Sequence, residues 1–390
     1  MGGRTPLAAL CCVALFLYAL YLGAVGVLLP ALGISFHLGP AVEGRLFSAN
    51  FTGFIVGVLL SGTLSDRVGR KPVLLGGIAL YALALALAGR APGFGAALAA
   101  FGLIGMGTGA MEIVASALAS DLFPERRAFI INTVQVAFGA GAAVSPLLAH
   151  RLLTHGTEWR TLFLGLAVAN AVLFAATACL RVPATAAAGE PWDPAALRAV
   201  LRHPAFLALC LAEALYVGAE VGLSSWMPTY FERRLPGGIV WSGLVVTVFW
   251  VAMTVGRVVA VPLSTRVSLL RLAGGLGIGG AIGSALALVW VSPLLVMTFV
   301  AWTGLCFSGI FGLVISEAGE RFPRASGAVF GGVVAAGGVG GAIMPWAVGA
   351  LTETAWGWRG ALALVPFASV LLALILLRLN AGNPRHAPRV

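Results

Sequence analysis

Twelve apolar runs, each long enough to cross a lipid bilayer as a helix, divide this 390-residue chain. They fall at about 7–29, 45–65, 72–89, 94–119, 128–149, 160–180, 204–229, 239–263, 272–291, 293–316, 326–351 and 359–378. Hydrocarbon offers no partner for a backbone N–H or C=O, so a segment crossing it must satisfy both within itself. Twelve transmembrane helices and an all-α membrane protein follow. Composition agrees, with 60% hydrophobic and 10% charged residues where a soluble domain carries about 25% charged. The first run is too long for a signal-peptide core and is read as the first membrane helix.

The net charge of +10 does not mark a nucleic-acid binder, because the charges lie between the apolar runs and not along one face. Loop charge obeys a simpler rule, in which Lys and Arg stay in the cytoplasm. With the N-terminus inside, inner segments hold sixteen Lys/Arg and outer segments seven. Both termini and the polar stretch near 181–203 are expected in the cytoplasm, with the protein in the inner membrane of a bacterium. All five cysteines sit within apolar runs at spacings that suit no metal. No cofactor is expected.

The chain repeats itself at an offset of 199 residues. Phe123-Pro124 maps to Phe322-Pro323, Gly139 and Gly141 to Gly338 and Gly340, Pro146 to Pro345, Trp159-Arg160 to Trp358-Arg359, and Asp121 to Glu320. One offset across so many features implies two pseudo-symmetric six-helix bundles, at 1–181 and 204–380, with a linker at 182–203 and a tail at 381–390.

Between the second and third runs stands Gly62-Thr63-Leu64-Ser65-Asp66-Arg67-Val68-Gly69-Arg70-Lys71. Small residues and charges in a tight turn let two helices approach while fixing charge at the water boundary. This run resembles the loop 2–3 signature of the major facilitator superfamily at every position. The resemblance implies the major facilitator fold, a substrate site between the bundles near mid-membrane, and alternating access. It also implies a gating role for Gly62, Asp66, Arg67, Gly69 and Arg70. Asp66 would face the positive N-terminus of the eleventh helix. Arg70 would reach Asp121, and Arg67 and Lys71 would neighbour Glu125. In the second half, Asp66 maps to Thr265, so the lock is asymmetric.

Charged groups at bilayer depth are costly and need a reason. Glu112 lies in a glycine-rich stretch of the fourth run; Asn132 and Gln135, three apart in the fifth, share a face. A carboxylate beside two amides suits a polyol and can also carry a proton. Glu213 and Glu220, seven apart in the seventh run, share another face. Glu213 either lines the cavity or pairs with Arg257, the one basic residue well inside a run. Trp226 either stacks on a sugar ring or joins the interfacial aromatic belt. Tyr21 and Asn50 complete the candidate substrate-binding set of Glu112, Asn132, Gln135, Glu220 and Trp226, and proton coupling is assigned to Glu112, Glu220 and Glu213.

The segments Tyr216-Val217-Gly218-Ala219-Glu220 and Phe249-Trp250-x-x-Met253-Thr254-x-Gly256-Arg257, with the Glu112 and Asn132–Gln135 patterns, resemble the fucose–galactose–glucose proton symporter family. That resemblance implies uptake of a sugar or polyol with a proton, or with Na⁺, and gives Glu112 the joint substrate and proton role. The second acid that the fucose permease keeps in its first helix has no counterpart here, where Tyr18 and Tyr21 are the polar groups. A proton-coupled exporter of the same fold is the alternative, but its Gly-Pro-x-x-Gly-Gly pattern is replaced by Ser145-Pro146-Leu147-Leu148-Ala149-His150. An enzyme is not expected: the histidines lie in loops, at run ends or in the tail, with no nucleophile elbow or phosphate loop. The expected partners are a small-molecule substrate, the coupling ion and the bilayer, with a monomeric protein and no nucleic acid.

Overall fold

A computed structural model describes residues 4–123, 125, 127–180, 194–264, 266–322 and 326–382. A few side chains within these ranges, including those of Asp66 and Asn132, lie outside the description. Among the described residues the elements are all helices. The first half holds α1 (Arg4–Phe36), α2 (Pro40–Val68), α3 (Arg70–Gly89), α4 (Phe94–Leu122), α5 (Arg127–Thr154) and α6 (Trp159–Cys179). The short helix α7 (Pro194–Leu201) occupies the described part of the linker. The second half holds α8 (Pro204–Arg234), α9 (Gly238–Ser264), α10 (Leu269–Val289), α11 (Pro293–Phe307), α12 (Ile310–Arg321), α13 (Ser326–Thr352), α14 (Gly357–Leu362) and α15 (Leu364–Ala381). The pairs α11/α12 and α14/α15 each make one crossing, which gives twelve membrane-length spans.

The repeat extends to the helix ends. Shifting α4 by 199 residues gives 293–321, the span of α11 and α12; shifting α5 gives 326–353 against the observed Ser326–Thr352. Packing repeats as well. In the first half α1 packs on α5, α2 on α4 and α3 on α6; in the second, α8 packs on α13, α9 on α11 and α10 on α15. The bundles meet through α2 with α13, α5 with α9, and α1 with α8. The repeat exchanges the first two of these pairs, so the seam has the two-fold symmetry of the sequence.

Glycine sets how closely these helices pack, since lipid gives helices little hydrophobic reason to associate and backbone contact must supply it. A Cβ on Gly105 would run into the Asn50 carbonyl across the α2–α4 contact. Gly340 meets the Ala214 carbonyl in the same way in the second half.

The apolar runs understate two helices. Run one ends near 29 and run two starts near 45, but α1 continues to Phe36 and α2 starts at Pro40. Gly39, extended, precedes a proline in the first helical turn, a favoured helix start. The consequence is that Glu43 lies inside a helix, fully buried, where the sequence reading had a loop.

Candidate functional site

The face of the molecule that carries Arg4, Gly69 and Ala381 is here the terminal face; the opposite one is the far face. From the far face inward, α2 and α13 stay in contact. Ala41 meets Glu353, Gly44 meets Trp346, Ser48 Oγ donates to the Ala342 carbonyl at 2.7 Å, and Phe51 covers Gly341. The last close approach is Gly338 against Phe54 and Ile55. Two turns further on, Gly62 and Gly331 meet nothing within 4 Å. On the other flank α5 and α9 touch at His150 with Ser242, at Gly139 with Thr254, and at Gln135 with Arg257. Among the described residues the bundles are thus closed at the far face and parted at the terminal face.

Where they part, a charged cluster bridges them. Gln135 Nε2 on α5 donates to Glu112 Oε1 on α4 at 3.1 Å. Arg257 Nη1 on α9 crosses the seam and donates to the Gln135 backbone oxygen at 3.1 Å. The guanidinium also lies within electrostatic reach of the Glu112 and Glu220 carboxylates, one from each bundle. Gln135, Glu220 and Arg257 keep partial exposure although each is well inside its helix. Glu112 is ten residues from the terminal end of α4, about 15 Å deep, near the middle of a ~30 Å hydrocarbon core.

Aromatic rings wall the cluster. Tyr18 of α1, in electrostatic reach of both glutamates, stands edge-on to Phe138 at 5.3 Å, and Phe138 stands edge-on to Trp250 at 6.0 Å. Trp250, Thr254 and Arg257 are spaced four and three along α9 and so share the face that meets α5. A guanidinium offers a planar fork for a carboxylate. The Glu112–Gln135 pair accepts from and donates to a hydroxyl. The rings, packed edge-on and buried in this form, give the cluster an apolar border. With two acids and one base, a single added proton makes the cluster neutral.

Other sequence candidates lie elsewhere. Trp226 is fully buried; its Nε1 donates to the Pro345 carbonyl at 2.8 Å and its ring meets Trp358 edge-on at 5.8 Å. It therefore ties α8 to α13 and α14 within the second bundle, and neither a cavity nor the lipid interface reaches it. Tyr21 donates to Asn50 Oδ1 at 3.1 Å inside the first bundle, among Tyr81, Phe101 and Phe163. A buried tyrosine must place its hydroxyl, and Asn50 accepts it, so both are occupied in packing. Glu213 does not pair with Arg257: its two oxygens have no hydrogen-bond partner among the described residues, and Arg257 is turned to Gln135. Asn132 cannot be placed, because its side chain lies outside the described residues.

In the signature turn, Gly69 ends α2 with φ 94°, ψ 158°, a conformation that favours glycine. Its N–H donates to the Ser65 carbonyl at 3.1 Å. Arg70 starts α3, donating from Nε to Asp121 Oδ2 at 3.2 Å and from Nη1 to Ser65 Oγ at 2.7 Å. Lys71 does not turn to Glu125; it caps α6 by donating to the carbonyls of Ala178 and Leu180 at 2.9 and 2.6 Å. Arg67 is exposed on the last turn of α2, and the Asp66 side chain lies outside the described residues.

The sequence reading did not single out Phe138, Trp250 or Thr254 beyond their places in motifs. The Trp250–Thr254–Arg257 spacing was the available signal.

A family model of the Major Facilitator Superfamily matches residues 11–331. The chain belongs to the major facilitator superfamily. This facilitator is 27% identical to the gentisate transporter of Corynebacterium glutamicum over 91% of its own length and 83% of that protein's. It is 32% identical to the niacin transporter NiaP of Acinetobacter baylyi over 147 residues, 37% of this chain; that match spans only 33% of the relative. Among solved structures, the D-xylose-proton symporter superposes with TM-score 0.80 at 15% identity, covering 96% of both chains. The E. coli fucose:proton symporter superposes with TM-score 0.69 at 18% identity, covering 97% of this facilitator and 99% of the symporter. At such identities these two show the fold alone. The fold and the relatives of this facilitator are those of transporters, not enzymes.

Proposed function

We propose that this protein takes up small aromatic carboxylates together with protons, by alternating access between a far-face-open form and the terminal-face-open form seen here. The observation that carries the reading is Arg257, set across the seam on the Gln135 carbonyl and flanked by Glu112 and Glu220. In the resting cluster the guanidinium faces two acids, one of which must carry a proton for the cluster to be neutral. A substrate carboxylate that takes the guanidinium displaces a glutamate, and a proton on that glutamate removes the repulsion between the two anions. Anion and proton then travel together. The rings of Tyr18, Phe138 and Trp250 suit a flat solute, and Glu112–Gln135 suits a ring hydroxyl. The gentisate and niacin carriers are relatives whose names denote such acids.

A sugar or polyol, the solute that the sequence patterns favour, is the second reading. The Glu112–Gln135 pair supports it, but a neutral solute gives Arg257 no partner. In this reading the terminal face, both chain ends included, lies in the cytoplasm of a bacterial cell, and the excess of arginine in the inner loops supports that orientation. A monomer suffices, because both halves of the cluster come from one chain.

The test is uptake into proteoliposomes with an inward proton gradient, comparing labelled gentisate, nicotinate, fucose and xylose. Accumulation of an acid, abolished by a protonophore and by Arg257→Gln, is expected. Accumulation of a sugar that survives Arg257→Gln would overturn the carboxylate reading. Substrate-driven proton efflux from the lumen would favour the exporter.

A further inference from the structure

Glu213, Tyr216 and Glu220 follow one another at intervals of three and four along α8 and so form one stripe of that helix. Glu220 belongs to the cluster. Glu213 is two turns, about 10 Å, nearer the terminal face. It is fully buried, and neither carboxyl oxygen has a hydrogen-bond partner among the described residues. A bare carboxylate in such a place costs several kcal/mol. Retaining an acid there, where a glutamine or leucine would fold as well, needs a use for it.

The surroundings leave the carboxyl group free to exchange a proton and nothing else. From α13 it is faced by Gly337, whose missing side chain makes room for its Cγ. Cys210 lies one turn below on its own helix. Arg257 of α9 acts on Glu220 and Tyr216 and is hydrogen-bonded to Gln135. Of the charged groups of α12, Glu317 and Arg321 pair with each other, and Glu320 is the third. Between the two acids, the Tyr216 hydroxyl lies beside the Glu220 carboxylate without forming a well-shaped hydrogen bond. Its ring is held edge-on by Phe307 at 5.8 Å, which leaves the hydroxyl hydrogen as the moving part.

We infer that this stripe is the exit for the coupling proton, with Glu213 as its last acceptor before the terminal face. The inference rests on the proton coupling proposed above. In the transfer, the Glu220 carboxyl gives its proton to the Tyr216 oxygen while the tyrosine's own proton passes to the Glu213 carboxylate. Glu220 becomes the anion beside Arg257, Tyr216 is unchanged, and Glu213 becomes the neutral acid. Glu213 is fully buried in this form, so its proton passes to water when the α8–α13 contact at Gly337 loosens toward the terminal face, which returns the carboxyl to its starting form.

The test uses the full chain in proteoliposomes with two assays. One is exchange of labelled against unlabelled acid at equal pH, which needs no net proton movement. The other is accumulation driven by a pH gradient. For Glu213→Gln, exchange stays near the wild-type rate while accumulation falls by at least about tenfold, the scale of a lost proton-transfer group. Tyr216→Phe does the same more mildly, and Glu213→Asp restores part of the accumulation. Normal accumulation by Glu213→Gln overturns the inference. So does loss of exchange together with accumulation in folded Glu213→Gln protein, which would make Glu213 structural. Absence of acid exchange in the wild type would instead overturn the carboxylate reading, and this inference with it.

Discussion

The backbone N–H of Ala41 donates to the Glu353 carboxylate at 3.2 Å, so a side chain from the second bundle caps the first turn of a helix in the first. A carboxylate at a helix N-terminus satisfies an orphan donor and meets the positive end of the helix dipole. Arg233 reinforces the same corner, standing over the Trp358 ring at 5.8 Å and within electrostatic reach of buried Glu43. The Ala41–Glu353 and Arg233–Glu43 contacts join the two bundles and exist only while the far face is closed. Replacing the cap by Glu353→Ala removes about 1 kcal/mol from the closed form, which raises the far-face-open population roughly fivefold. The check is the alkylation rate of a cysteine introduced by Ser48→Cys, approached from the far side. An unchanged rate would show that Glu353 does not hold the face shut.

Among the described residues Arg257 is the single cation in reach of the two mid-membrane acids, so its removal strands both charges. Loss of one partner from a buried ionic set costs about 3–5 kcal/mol. Arg257→Gln is expected to lower the thermal midpoint as well as uptake, whereas the double variant Arg257→Gln/Glu112→Gln recovers part of the midpoint, Glu220 being still without its cation, and does not recover uptake. Thermal unfolding in detergent, read beside transport, decides it; equal midpoints for the single and double variants would separate Arg257 from Glu112 energetically.

The parts of this protein written in the sequence are those set by periodicity and by fixed offsets. Helix number, the two-fold repeat and the Arg70–Asp121 juxtaposition could be read because a membrane span, a 199-residue shift and a signature turn are local or repeated patterns. Glu112 beside Gln135 could be read from equal depth on adjoining helices. What could not be read is which face of a helix its neighbours cover. Trp226 and Tyr21 have the composition of cavity residues, yet Pro345 and Asn50 occupy them in packing. Arg257 and Glu213 lie at similar depth, yet rotation about α9 turns the arginine to Gln135. Glu43 was missed because a helix can outrun its apolar stretch when a proline starts it early.

Gly69 joins α2 to α3 with φ 94°, where a Cβ meets only the Pro72 ring carbon at 3.9 Å. The obstacle to a side chain is thus backbone strain, not lack of room. Gly69→Ala is expected to cost about 1–3 kcal/mol, taken from the Arg70–Asp121 and Arg70–Ser65 contacts that the turn positions. Transport slows while the binding constant for substrate changes little. Calorimetric binding beside initial uptake rates tests this, and a large loss of affinity in folded protein would count against it.

Two glycines of equal size make opposite predictions. Gly105 is fixed against Asn50 backbone across the α2–α4 contact, and neither helix can yield without parting from the other. Gly105→Ala therefore disrupts the first bundle and is expected to lower the midpoint by several degrees or prevent folding. Gly62 meets nothing within 4 Å while the terminal face is open. Gly62→Ala leaves the midpoint of this form unchanged, because the added methyl group meets no atom. Its effect appears when the terminal ends of α2 and α13 close and a Cβ must fit between them. Net uptake, which requires that closure, slows, while substrate binding to the terminal-face-open form stays normal. Thermal midpoints and uptake rates of the two variants, measured side by side, carry the test. A destabilised Gly62→Ala protein would mean that α2 and α13 are already in contact there, and that the terminal face is shut.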